Sequence, residues 1–178
     1  MNLSPDVIIL KPPAFLEMIL ASAESYHYEC YGLILGYFNN REIIVEDAQV
    51  LQIVKKSPYS VAPIAKREKR IIQLINSLKI ENLKVIGDFH SHPMVGGIKG
   101  KSSPSGDDIL DMEVGKVYII VSVNESKRER AWSYSIKRKI LRGSIFNFSF
   151  EISGYYCHKN LSYKKLHINC PFLMAINT

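Results

Sequence analysis

Cysteine is scarce and its number is odd. Cys30, Cys157 and Cys170 cannot form a fully paired framework, which fits a reducing compartment rather than a disulfide-stapled secreted scaffold. No run approaches the roughly 18 apolar residues of a membrane span. Met1-Asn2-Leu3-Ser4-Pro5-Asp6 also lacks the basic start and long apolar region of a secretory leader. A cytoplasmic protein with no membrane partner is the expectation. Cys-x-x-Cys is missing, which sets aside the zinc deaminases, and their His-x-Glu has a histidine, His92, in its third place here. Gly96 to Ser102 ends like a phosphate loop in Gly-Lys-Ser, yet the first glycine of that motif would have to fall at Val95. Nucleotide binding is set aside with it, because the loop needs that glycine's backbone freedom.

What is present describes one domain. The chain has 178 residues and is 47% hydrophobic, enough for a single substantial core. Its net charge is +6, with basic residues bunched at Lys66 to Arg70, Lys127 to Arg130 and Lys137 to Lys139. Acidic residues interrupt the first two runs and no helix-turn-helix, finger or RNA-binding signature accompanies them. A solvated lysine-rich surface explains these runs, and a nucleic-acid partner is not expected.

Periodicity gives a mixed α/β order. Val7 to Leu10 reads as a strand, and Pro12-Pro13 open a helix whose Phe15, Leu16, Ile19, Leu20 and Ala23 form one apolar face. Tyr31 to Phe38 is a strand covered on both faces, and Asn39-Asn40 turns it into a second strand or strand pair from Arg41 to Val54. Ile64, Ile71, Ile72, Leu74, Ile75 and Leu78 fit one buried side of a helix over 63–79. After the apolar run Leu83 to Ile86, the spacing predicts a short helix from Asp107 to Val114 and strands over 116–123 and 131–136. Phe146, Phe148, Phe150 and Ile152 alternate with polar residues like a half-buried strand. The resulting fold class is α/β, a mixed β-sheet flanked by helices. Residues 1–137 are read as the core and 138–178 as a C-terminal extension, strand plus tail, packed on the same domain.

The chemistry concentrates in Gly87-Asp88-Phe89-His90-Ser91-His92-Pro93 and Ser105-Gly106-Asp107-Asp108. Side chains two apart in a strand share a face, so His90 and His92 can reach one ion. Neutral imidazole nitrogen and carboxylate oxygen suit Zn²⁺, and three protein ligands with one open place mark a catalytic rather than a structural zinc. Asp108 is the natural third ligand. Ser105-x-x-Asp108 also reads as a helix cap, which would orient that carboxylate.

At these residues the sequence resembles the JAMM, or MPN+, zinc metallopeptidases. Their pattern is an upstream glutamate, His-Ser/Thr-His-Pro, a short loop and Ser-x-x-Asp. Here Glu29 precedes Cys30-Tyr31-Gly32-Leu33-Ile34-Leu35-Gly36, and the other pieces follow in the same order. The loop departs from the family: twelve residues separate His92 from Ser105 where about seven are usual, a change that costs little closure entropy. Glycine, lysine and serine in Met94 to Ser103 read either as a flexible connection or as a cover over a groove.

The resemblance implies a JAB/MPN, cytidine-deaminase-like architecture and one catalytic Zn²⁺ on His90, His92 and Asp108. It also implies Glu29 as the general base and Ser105 as the donor to the oxyanion. The implied activity is zinc-dependent hydrolysis of an isopeptide or peptide bond after the C-terminus of a ubiquitin-like or sulfur-carrier-like protein, with a homodimer open. Two other roles stand beside it: a non-catalytic MPN-type scaffold, and a RadC-like nucleic-acid-associated protein, whose relatives usually carry asparagine where Ser91 stands. Cys157, His158, His167 and Cys170 do not show a standard zinc spacing. Cys30 reads as an inert thiol in a buried strand.

Overall fold

The computed structural model describes residues 4–52, 54–57 and 60–175. The chain runs β1 (Val7–Leu10), α1 (Pro12–Glu24), β2 (Tyr31–Asn39), β3 (Glu42–Val50), β4 (Val54–Ser57), β5 (Ser60–Pro63) and α2 (Ala65–Ser77). It continues through β6 (Lys84–Pro93), α3 (Gly106–Asp111), β7 (Val117–Glu125), β8 (Ser133–Ser135) and β9 (Ile140–Ile145). The last elements are β10 (Phe148–Lys159), β11 (Ser162–Asn169) and α4 (Pro171–Ala175).

A mixed sheet carries the molecule, in the order β11-β1-β3-β2-β6-β7-β10-β9-β8. It is the mixed sheet with flanking helices that the periodicity indicated, and it also closes on itself, which the periodicity did not show. The reason lies in β10, which is 12 residues long. One of its edges pairs with β7 from Phe148 to Tyr156. The other is divided: Phe148 to Ile152 pairs with β9, and Gly154 to Lys159 pairs with β11. Because β11 also runs parallel to β1, seven strands form a ring and β9 and β8 hang from it. The tail after Tyr155 is therefore the closing strand pair, with Leu166 and Ile168 buried at period two.

Three expectations are corrected. Phe146 is not in a strand: it sits at the β9–β10 hairpin tip with φ 50° and is 87% exposed. The apolar side of α2 is not buried, with Leu74 and Leu78 exposed. Ile140 to Ile145, unassigned from the sequence, is β9, and α3 is only six residues long.

Helix α1 starts on two prolines, whose fixed φ suits a first turn, and packs Ala14, Phe15, Met18 and Ile19 into the main core with Ile8, Val45, Phe89, Ile119 and Phe150. Phe15 meets Trp132 and Phe172 edge-on, centroids 4.9 and 5.3 Å away. On the opposite face of β7 and β10 lies a smaller cluster of Met112, Tyr118, Ile120, Tyr155 and Cys157. That second face positions the site.

Candidate metal centre

Strand alternation sends Phe89 into the core and turns Asp88, His90 and His92 to the other face. His90 lies opposite Tyr31 of β2 on one side and Ile120 of β7 on the other. Ser91 points away from the site and is fully buried. Its Oγ accepts from Cys30 N at 2.9 Å, and its own N donates to Cys30 O at 3.1 Å. This pair of bonds ties the segment carrying Glu29 to the histidine strand. Cys30 is buried within 3.6 Å of Ser22 Oγ, as an inert thiol would be.

Asp108 comes from α3 through a closed cap. Ser105 Oγ accepts from Asp108 N at 3.1 Å, and Ser105 N donates to Asp108 Oδ2 at 2.6 Å. The reciprocal bonds satisfy two orphan helix donors and hold the carboxylate in one orientation. Since Ser105 Oγ serves Asp108 as an acceptor, its O–H remains available to a third group.

Three side chains meet over the strand. His90 Nε2 is 3.1 Å from His92 Nε2 and 3.2 Å from Asp108 Oδ1, and His92 Nε2 is 3.4 Å from Asp108 Oδ2. Glu29 Oε1 approaches His92 Nε2 at 3.9 Å. On its far side His92 Nδ1 lies 2.7 Å from the carbonyl of Lys101. A carbonyl only accepts, so Nδ1 carries a hydrogen, and in the neutral ring Nε2 presents a lone pair to the cluster. Acceptors facing acceptors repel unless a proton or a metal cation lies among them. Tetrahedral zinc with bonds of about 2.0–2.1 Å needs ligand atoms about 3.3 Å apart, close to the spacings seen. The residues therefore fit a zinc ion, and among the described residues they are the only such group of three.

The electrostatics agree. Burial opposes charge on Asp108, but the bonds to His90 and His92 outweigh it and hold the carboxyl well below the usual range. Burial would depress His92, yet Asp108, the Lys101 carbonyl and Glu29 raise its affinity for a proton. Next to them, burial pushes the Asp88 carboxyl well above its ordinary value, with Glu68, Asp108 and Glu113 adding to the effect. Burial likewise pushes Tyr31 and Tyr118 up, and Tyr31 donates to Glu68 Oε1 at 2.7 Å.

A cleft of about 350 Å³ opens beside the cluster. Among the described residues, the carboxyl groups of Glu29, Glu68, Asp88, Asp108, Asp111 and Glu113 line it with one lysine, Lys116, and apolar Leu33, Ile72, Val85 and Met112 between them.

Residues 11–135 match the family model described as prokaryotic homologs of the JAB domain. The chain belongs to the prokaryotic JAB-domain family. It is 28% identical over 132 residues to a desampylase from Pyrococcus furiosus, covering 74% of this chain and 85% of that protein. A Desulfitobacterium hafniense protein solved in solution shares the JAB chain's fold at a TM-score of 0.62, with 17% identity and 92% of each chain covered.

All five residues singled out in the JAB motif lie in this region, although Ser105 is exposed at the cap of α3. Cys157 and Cys170 are instead buried in separate clusters, and His167 Nδ1 lies 2.8 Å from the Tyr134 hydroxyl. The tie that Ser91 makes to Cys30 and the contact of the Lys101 carbonyl with His92 escaped the sequence reading. Alternation could have turned Ser91 inward, but nothing local announces a backbone carbonyl that meets a ring nine residues away. Among the described residues no helix is long and apolar enough to cross a membrane.

Proposed function

We propose that this JAB-domain chain is a zinc-dependent peptidase that hydrolyses the isopeptide or peptide bond after the C-terminus of a ubiquitin-like protein. The observation that carries the reading is the convergence of a remote carboxylate, Glu29, on the acceptor cluster of His90, His92 and Asp108. The three cluster residues would hold the ion. When bound, zinc acts as a Lewis acid and lowers the pKa of its water to about 7.

The protein's own groups do the rest. Glu29 Oε1 takes a proton from the attacking water as its oxygen bonds to the scissile carbonyl carbon. The same carboxyl then delivers that proton to the amine nitrogen as the C–N bond breaks. Ser105 directs its spare O–H to the developing oxyanion, while the cap keeps Asp108 from turning. His92, held through Nδ1, keeps Nε2 toward the cluster.

The desampylase likeness supports a ubiquitin-like substrate. A Gly-Gly tail has no side chains to clash in a narrow cleft, and β5 ends at Pro63 on the cleft wall, where an extended tail could run alongside. The acidic lining disfavours the RadC-like alternative, because five carboxylates besides the protonated Asp88, against one lysine, repel a polyanion. Retention of all five residues disfavours the scaffold.

The test is a panel of ubiquitin-like proteins fused after Gly-Gly to a reporter, incubated with the pure protein with and without chelator, alongside elemental analysis. Cleavage at Gly-Gly, lost with chelator and restored by zinc, is expected. Bound zinc with no cleavage of any fusion would overturn the peptidase reading in favour of the scaffold.

A further inference from the structure

The loop from Met94 to Ser103 is longer than the family pattern, yet it is tied to the sheet face that carries the site. It leaves β6 with Met94 N donating to Val123 O at 3.0 Å and makes a small hairpin, Val95 paired with Ile98 across Gly96 and Gly97. It then meets Asn124, a buried side chain of β7. Asn124 Oδ1 accepts from Gly100 N at 2.8 Å, and its Nδ2 donates to Gly100 O at 3.2 Å. Both backbone groups of one residue are thus held by one amide. Beyond Lys101, Ser102 is buried with its Oγ 2.9 Å from Ser153 Oγ, and its carbonyl accepts from the Tyr155 hydroxyl at 2.6 Å.

Between these two anchors lies the carbonyl of Lys101, the group that accepts from His92 Nδ1. The fit is close. A Cβ on Gly100 would fall 2.0 Å from His92 O and 3.0 Å from Pro93 O, so only glycine lets the loop lie against the histidine strand. An untethered imidazole exchanges its hydrogen between the two nitrogens, and only one tautomer leaves Nε2 free as a ligand.

We propose that Asn124 is a positioning residue which, by gripping Gly100, sets the Lys101 carbonyl against His92 and holds that ring in the tautomer and orientation that present Nε2 to the metal. The proposal rests on the zinc reading above for its consequence, but the tautomer it specifies is a property of the metal-free protein. Partners that orient a ligating histidine typically contribute about 10–100-fold in metal affinity. The inserted loop is then part of the metal centre, and its hairpin tip is not.

The experiment compares wild type with Asn124→Ala, Gly100→Ala and, as a control at the exposed tip, Ile98→Ser. Long-range ¹H–¹⁵N spectra of the histidine rings at pH 8.5 read the tautomer without metal, and competition with a chromophoric chelator reads the zinc Kd. Wild type and Ile98→Ser should show His92 as the Nδ1–H form alone. The two loop variants should show mixed tautomers and a zinc Kd raised about 10–100-fold. If Asn124→Ala does not fold, Asn124→Asp, which keeps the acceptor and loses the donor, carries the same comparison. Folded variants with His92 still purely Nδ1–H and a Kd within twofold of wild type would overturn the proposal. Wild-type protein that binds no zinc would sink the zinc reading instead, while the tautomer comparison still decides the clamp.

Discussion

Ser105→Ala separates two roles that one hydroxyl is asked to play. As a helix cap, Ser105 Oγ accepts from Asp108 N, a bond whose loss costs about 1 kcal/mol. For a domain of this size that lowers Tm by about 2–4 °C. The bond that orients the Asp108 carboxylate is made by the backbone N of residue 105, which alanine keeps. Zinc affinity should therefore change little. As an oxyanion donor, the O–H left free by the cap would stabilise the transition state, and removing such a donor costs about 10²–10³ in rate. The assay measures kcat on a Gly-Gly fusion, zinc content and Tm for wild type, Ser105→Ala and Ser105→Thr. Alanine should keep one zinc, lose the few degrees and lose about 10²–10³ in kcat. Threonine retains the hydroxyl and should recover most of both. Full turnover by zinc-loaded Ser105→Ala would refute the catalytic role and leave Ser105 as a cap alone.

Glu29→Gln keeps shape and burial but cannot accept a proton, so it should bind zinc normally and lose about 10²–10⁴ in kcat, read from single-turnover cleavage with metal content measured in parallel. Asp88 gives a pH test: its folded carboxyl keeps a proton that the unfolded chain releases above 3.8, so its contribution is fully present below that pH and is lost as pH rises toward the higher folded value. Asp88→Asn should thus be more stable than wild type at pH 8, by about 2–4 °C for about 1 kcal/mol, with the gain shrinking toward pH 4 in thermal melts. A constant gap at both pH values would contradict the buried-carboxyl argument. Ring closure is tested at Gly154, where a Cβ would lie 2.2 Å from Ile8 Cδ1 but 3.6 Å from Ile8 Cγ1. Gly154→Ala should cost about 1–3 kcal/mol and Ile8→Val about 0.5–1.5. The pair should cost less than their sum by at least about 0.5 kcal/mol in urea titrations; strict additivity would place the two strands out of contact.

What the sequence by itself determined is what local geometry dictates. Period-two alternation sends His90 and His92 to one face wherever the strand lies, and Ser105-x-x-Asp108 caps its own helix with bonds between residues three apart. The order of β1, α1, β2 and β3 was legible for the same reason, since each segment carries its own period and turn signals. Tertiary structure alone decided the rest. Cys30 bonds Ser91 across 61 positions, which brings Glu29 to the histidines, and no pattern within either segment encodes that meeting. Helix α2 has the alternation of a buried helix and is not buried, because amphipathicity states what a face could cover and not whether a partner reaches it. The division of β10 between β9 and β11 closes the ring, and Asn124 meets Gly100 only because the loop after β6 folds back against β7. Each of these is a contact between distant segments, settled by the packing of the whole chain rather than by the residues beside it.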